Sequence, residues 1–81
     1  MLPTDMRRYQ ILFSAALGAE ANGMHADADK LFGKARLLAE STGVSSLEGM
    51  LLHFAQRCAE RGRYLEAESF YLEAMEKLSK N

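Results

Sequence analysis

Gly62-Arg63-Tyr64-Leu65-Glu66-Ala67-Glu68-Ser69-Phe70-Tyr71-Leu72-Glu73-Ala74-Met75 decides how this chain is read. A glycine that can end one helix is followed almost at once by the start of another, with alanines where two helices must touch. A looser copy stands earlier, Gly23-Met24-His25-Ala26-Asp27-Ala28-Asp29-Lys30-Leu31-Phe32-Gly33-Lys34-Ala35. Aligning Gly23 with Gly62 puts Ala28 on Ala67, Phe32 on Tyr71 and Ala35 on Ala74, all at a period of 39 residues. A helix–turn–helix repeated at such a spacing points to an all-α fold of stacked helical hairpins. Arrays of that kind bind other molecules rather than transform them.

The 81 residues allow a single domain, 1–81, with a core that is marginal by itself. Hydrophobic residues at 48% and charged residues at 26% are ordinary for a soluble globular chain and argue against disorder. Charge is balanced in each half: five basic and five acidic residues over 1–42, five and six over 43–81. Neither half offers the electropositive field that nucleic acid or an anionic membrane needs, so neither partner is expected. The single cysteine, Cys58, excludes an intramolecular disulfide and favours a reducing compartment. No apolar run is long enough to span a membrane. The apolar stretch from Tyr9 to Leu17 lacks a signal-peptide layout. The expectation is a soluble cytoplasmic protein.

Four helices are expected. Proline occurs once, at Pro3, and no period-two alternation persists. Ile11, Leu12, Ala15, Ala16 and Ala19 mark the inward face of a first helix over Asp5–Asn22, capped by Thr4 and ended by Gly23. A second helix runs over Ala26–Ser41, with Asp27 and Asp29 in its first turn and Leu31, Phe32, Ala35, Leu38 and Ala39 inward. Gly43 closes it as a left-handed cap. Ser45 and Glu48 stand at capping-box spacing and open a third helix over Ser46–Arg61, its inward face Leu51, Phe54, Ala55, Cys58 and Ala59. Gly62 stops that helix, and a fourth follows over Tyr64–Ser79 with Ala67, Phe70, Tyr71, Ala74, Met75 and Leu78 inward. Connections of two or three residues make each pair antiparallel. Gly33 is the helix-interior glycine without a turn to explain it. It either admits a neighbouring backbone or costs about 1 kcal/mol against alanine.

Leu51, Phe54-Ala55, Cys58, Gly62, Tyr64, Ala67, Tyr71 and Ala74 fall where the tetratricopeptide repeat places its large and small packing residues, and the second hairpin resembles that family closely. The first matches through Leu12, Ala15-Ala16, Ala19, Gly23, Ala28, Phe32 and Ala35. The two copies, about 9–42 and 48–81, cover nearly the whole chain as a four-helix solenoid fragment. The spelling departs from the family in three ways. The period exceeds the usual spacing of about 34 residues, no proline closes either repeat at Glu40 or Ser79, and His25 stands where the second copy has Tyr64.

The resemblance implies a concave groove lined by the first helix of each hairpin. Its residues are Gln10, Phe13, Leu17 and Glu20 from one helix, and Gly49, Leu52, His53, Gln56 and Glu60 from the other. Family members that clamp an acidic C-terminal tail carry lysine, arginine and asparagine there. Phe13, Leu17 and Leu52 instead favour an apolar ligand such as an amphipathic helix.

Other candidates read more simply as structure. Cys58 shares a repeat position with Ala19 and fits a buried inert thiol better than a reactive one. His25 and His53 lie on different hairpins without ligands at metal-binding spacing. Arg57, Arg61 and Arg63 suit the end of a helix, with Glu60, Glu66 and Glu68 close enough to neutralise them. There is no phosphate loop, nucleophilic triad or catalytic carboxylate pair, so neither an enzyme nor a cofactor is expected.

The fourth helix is the exception to this economy. Leu65, Phe70, Tyr71, Leu72, Met75 and Leu78 put apolar groups around much of its circumference, and only one side can pack on the third helix. The groove implied by the resemblance gives the expected function, protein–protein interaction that binds a peptide or amphipathic helix in that apolar groove. Homo-oligomerisation and a small chaperone for an aggregation-prone partner are the alternatives. A homodimer or heterocomplex is expected in each case.

Overall fold

A computed structural model describes residues 3–43 and 47–79 of the protein. Four α-helices account for most of them: α1 (Pro3–Ala21), α2 (His25–Thr42), α3 (Leu47–Glu60) and α4 (Tyr64–Ser79). There is no strand among the described residues. The chain divides into two compact units, Met1–Ser45 and Ser46–Asn81. α1 packs on α2 in the first and α3 on α4 in the second.

The two intra-hairpin turns are the same object. Gly23 and Gly62 adopt left-handed φ values of 78° and 80°, which an L side chain resists. Four backbone hydrogen bonds recur around them at the 39-residue period. The Met24 N–H donates to the Ala19 carbonyl at 2.9 Å, as the Arg63 N–H does to Cys58 at 2.9 Å. Gly23 donates to Glu20 and Gly62 to Ala59, each at 3.1 Å. Asn22 donates to Ala19 and Arg61 to Cys58, at 3.2 and 3.1 Å. Together these satisfy carbonyls that the end of a helix leaves open.

The same residue then opens the next helix. Ala28 donates to the Met24 carbonyl at 2.9 Å and Ala67 to the Arg63 carbonyl at 3.0 Å. Met24 and Arg63 each close one helix and cap its successor, which is why the connection is so short. No side-chain hydrogen bond caps α2 at Met24.

Helix ends differ from expectation in small ways. α1 begins at Pro3, so Thr4 lies inside the helix rather than capping it. Proline suits the first helical position, where its missing N–H has no partner to lose. α2 is one residue longer at each end, and Asp29 falls just past the first turn that holds Asp27. Gly43 does close α2, with φ 73° and its N–H on the Ala39 carbonyl. Ser45 and the start of its capping box lie outside the described residues.

In the first hairpin, Ala16, Ala28, Ala35 and Ala39 are buried at the helix contact, with Phe32 between them. Small side chains let the two backbones approach. The inward face of α1 is not the one the apolar pattern suggests. Tyr9, Ala16 and Glu20 are buried and Phe13 is half-buried, whereas Ile11 is 66% exposed and Ala15 lies in solvent. The face is turned by about a quarter of the helix circumference. Aromatic packing accounts for the turn. The Phe13 ring lies 6.2 Å from that of Phe32 and stacks on Tyr9 at 6.4 Å. Two rings bury more carbon against α2 than Ile11 and Ala15 can.

In the second hairpin, α3 supplies the bulk and α4 the recesses. Leu47, Met50, Leu51, Phe54, Ala55 and Cys58 are buried against Ala67 and Ala74. Phe70 meets Phe54 edge-on, with ring centroids 5.4 Å apart. Here the two repeats part company. Phe32 is buried, but its counterpart Tyr71 is 38% exposed because the inward ring of α4 is Phe70, one position earlier. Met75 and Leu78, also expected inward, are exposed.

Candidate functional site

The expected groove residues fall into two sets of different character. On α1, Gln10 is exposed and Phe13 and Leu17 are half-buried. Glu20 is completely buried, which removes it from any ligand-facing rim. Its Oε1 lies 3.0 Å from Nδ1 of His25, five residues on across the turn. His25, the residue at the position of Tyr64 in the second copy, is thus engaged by a carboxylate of its own hairpin. Ala59 and Tyr64 occupy the equivalent positions there, and without a buried carboxylate Tyr64 is left 71% exposed.

On α3, Leu52 is half-buried, and Gly49, His53, Gln56 and Glu60 are exposed. Four-residue spacing puts Leu52, Gln56 and Glu60 in one row on the helix. Glu60 is engaged locally, accepting from Nη1 of Arg57 at 3.0 Å. An exposed i,i+3 pair of this kind contributes little to stability.

Cys58 is a free thiol with no exposed surface, 3.8 Å from Nη1 of Arg63. Burial removes the access that a reactive cysteine requires. An open cleft of about 710 Å³ in the first hairpin is lined by Arg8, Leu12, Lys34, Leu37, Leu38 and Ser41. Its polar groups are two cations and a hydroxyl that already donates to the Leu38 carbonyl at 3.1 Å. That set contains no acid–base pair. No group of three potential metal ligands occurs among the described residues. No helix there is long and apolar enough to cross a membrane.

The surface that stands out is on α4. Tyr64, Leu65 and Leu72 are 71%, 80% and 64% exposed, and Tyr71, Met75 and Leu78 join them. At helical spacing the six share a continuous arc beside the buried Ala67–Ala74 stripe. Four of the six, Tyr64, Leu65, Leu72 and Met75, are more than half exposed. Exposed large apolar side chains that share one helix face are a mark of an interaction surface. The apolar circumference of α4 is legible in the sequence, but the division of its two sides is not. Ala67 and Ala74, seven residues apart, are the signal that marks the packed side.

No protein-family model matches the chain, and neither does any curated protein or solved structure.

Proposed function

We propose that this chain is a protein-interaction module of the tetratricopeptide type, which holds an amphipathic helix of a partner protein against the outer face of α4. The observation that carries the proposal is the exposed arc around Leu65, Leu72 and Met75, on a helix whose other side is already packed. The family part of the reading is supported by the recurrence of four turn hydrogen bonds at 39 residues and by the paired alanines at 28/67 and 35/74. The residues expected to line a groove, those of α1 and those of α3 each taken within its own hairpin, offer less. Phe13, Leu17 and Leu52 are each half-buried, and Phe13 is already engaged by Tyr9 and Phe32.

Binding is the use to which exposed carbon on a helix face is suited. The test is titration of the protein with a leucine-faced helical peptide, followed by NMR shift mapping. Perturbations centred on α4 and abolished by Leu72→Asp are expected. Perturbations confined to Leu52, His53 and Gln56 would move the site back to α3, and none at all would end the proposal.

A further inference from the structure

Glu68 sits in the middle of the apolar arc. Three and four residues away on either side stand Leu65 and Tyr64, then Tyr71 and Leu72. Whatever covers those side chains also takes the Glu68 carboxylate out of water. A desolvated carboxylate without a counter-charge is costly, and the cost falls on the complex. Glu76, four residues after Leu72, adds a second exposed acid at the border of the patch. α4 as a whole carries Glu66, Glu68, Glu73 and Glu76 against Lys77. Lys77 stands nine residues from Glu68, on the opposite side of the helix, and cannot serve as its partner.

We infer that the occupant of this face is an amphipathic helix bearing an arginine or lysine within its own apolar stripe, placed to meet Glu68. This rests on the interaction reading above and names the partner's chemistry. The apolar arc would provide affinity and the single acid would select the register and the partner. A second copy packing α4 symmetrically on α4 keeps Lys77, the cation within that helix, on the side away from this position. It sets one acidic helix against another, which costs free energy.

Three helical peptides of equal length, identical except for one central position on a leucine face, provide the test: arginine, leucine or glutamate there. Binding to the 81-residue chain is read by calorimetry, with circular dichroism confirming that each variant keeps its helix content. The arginine peptide should bind about ten-fold tighter than the glutamate peptide. Glu68→Gln should shrink that ratio to within about three-fold, and Glu68→Lys should invert it. Equal binding of all three peptides, unaffected at position 68, would overturn the partner assignment and leave the interaction reading standing. Absence of binding by every peptide would remove both. Sedimentation of the protein alone supplies the remaining outcome: a dimer dissociated by Leu72→Asp would make the occupant a second copy and overturn the inference.

Discussion

Nδ1 of His25 lies 3.0 Å from Oε1 of Glu20, a carboxylate with no exposed surface at the end of α1. The contact joins the last turn of α1 to the first residue of α2 and spans the Gly23 turn. It ties the two helices by a side-chain contact as well as by the backbone bonds that both hairpins share.

Removing the imidazole should therefore be costly only while the carboxylate is present. His25→Ala is expected to destabilise the protein by about 1–3 kcal/mol, the usual cost of taking a partner from a buried polar group. In a Glu20→Leu background, of similar volume and without charge, the same substitution should cost less than about 0.5 kcal/mol. Urea denaturation of the four proteins gives the coupling directly. Additive effects would mean that the contact contributes nothing of its own.

Ala28 and Ala67 are buried at equivalent points of the two hairpins, 0% and 3% exposed. Leucine at either position has to force the helices apart or leave its preferred rotamer. Ala28→Leu and Ala67→Leu should each cost about 1–3 kcal/mol. Thermal melts that show no loss for either would break the structural equivalence of the two turns.

The glycines divide by backbone conformation. At Gly33, in the middle of α2, a Cβ would meet nothing within 4 Å, so no neighbouring backbone requires the glycine. Gly33→Ala should stabilise the protein by up to about 1 kcal/mol. Gly62, at φ 80°, has equal space but the wrong conformation for a side chain, and Gly62→Ala should cost about 1–2 kcal/mol. Chemical denaturation should place the two variants on opposite sides of the parent.

Helix number, the turns at Gly23 and Gly62, and the inward faces of α2 and α3 are legible in the sequence, because glycine and a 3.6-residue period are local signals. The face of α1 is not. That helix is apolar almost all round, so periodicity offers two stripes and tertiary packing chooses between them. The choice rests on Phe32, whose ring draws Phe13 inward and leaves Ile11 out. Glu20 misleads for a related reason: a glutamate reads as surface until His25 is seen beside it. On α4, Tyr71 aligns with Phe32 in the repeat, yet Phe54 meets Phe70 instead. The repeat equivalent of Phe54 is Ala15, which lies in solvent because α1 turns a different face inward, so the same alignment does not produce the same contact.

This difference decides which apolar residues can report on binding without disturbing the fold. Phe13 faces its own hairpin through Tyr9 and Phe32, so Phe13→Ala removes packing as well as surface. A loss of about 2–3 kcal/mol is expected, below the range for a fully buried phenylalanine because the ring is only half-buried. Leu72 is 64% exposed, and Leu72→Ala should change stability by no more than about 0.5 kcal/mol. Urea midpoints of the two variants at low protein concentration, where association is dilute, make the comparison. If Leu72→Ala proves as damaging as Phe13→Ala under those conditions, the outer face of α4 is packed within the single chain and is not a surface open to a partner.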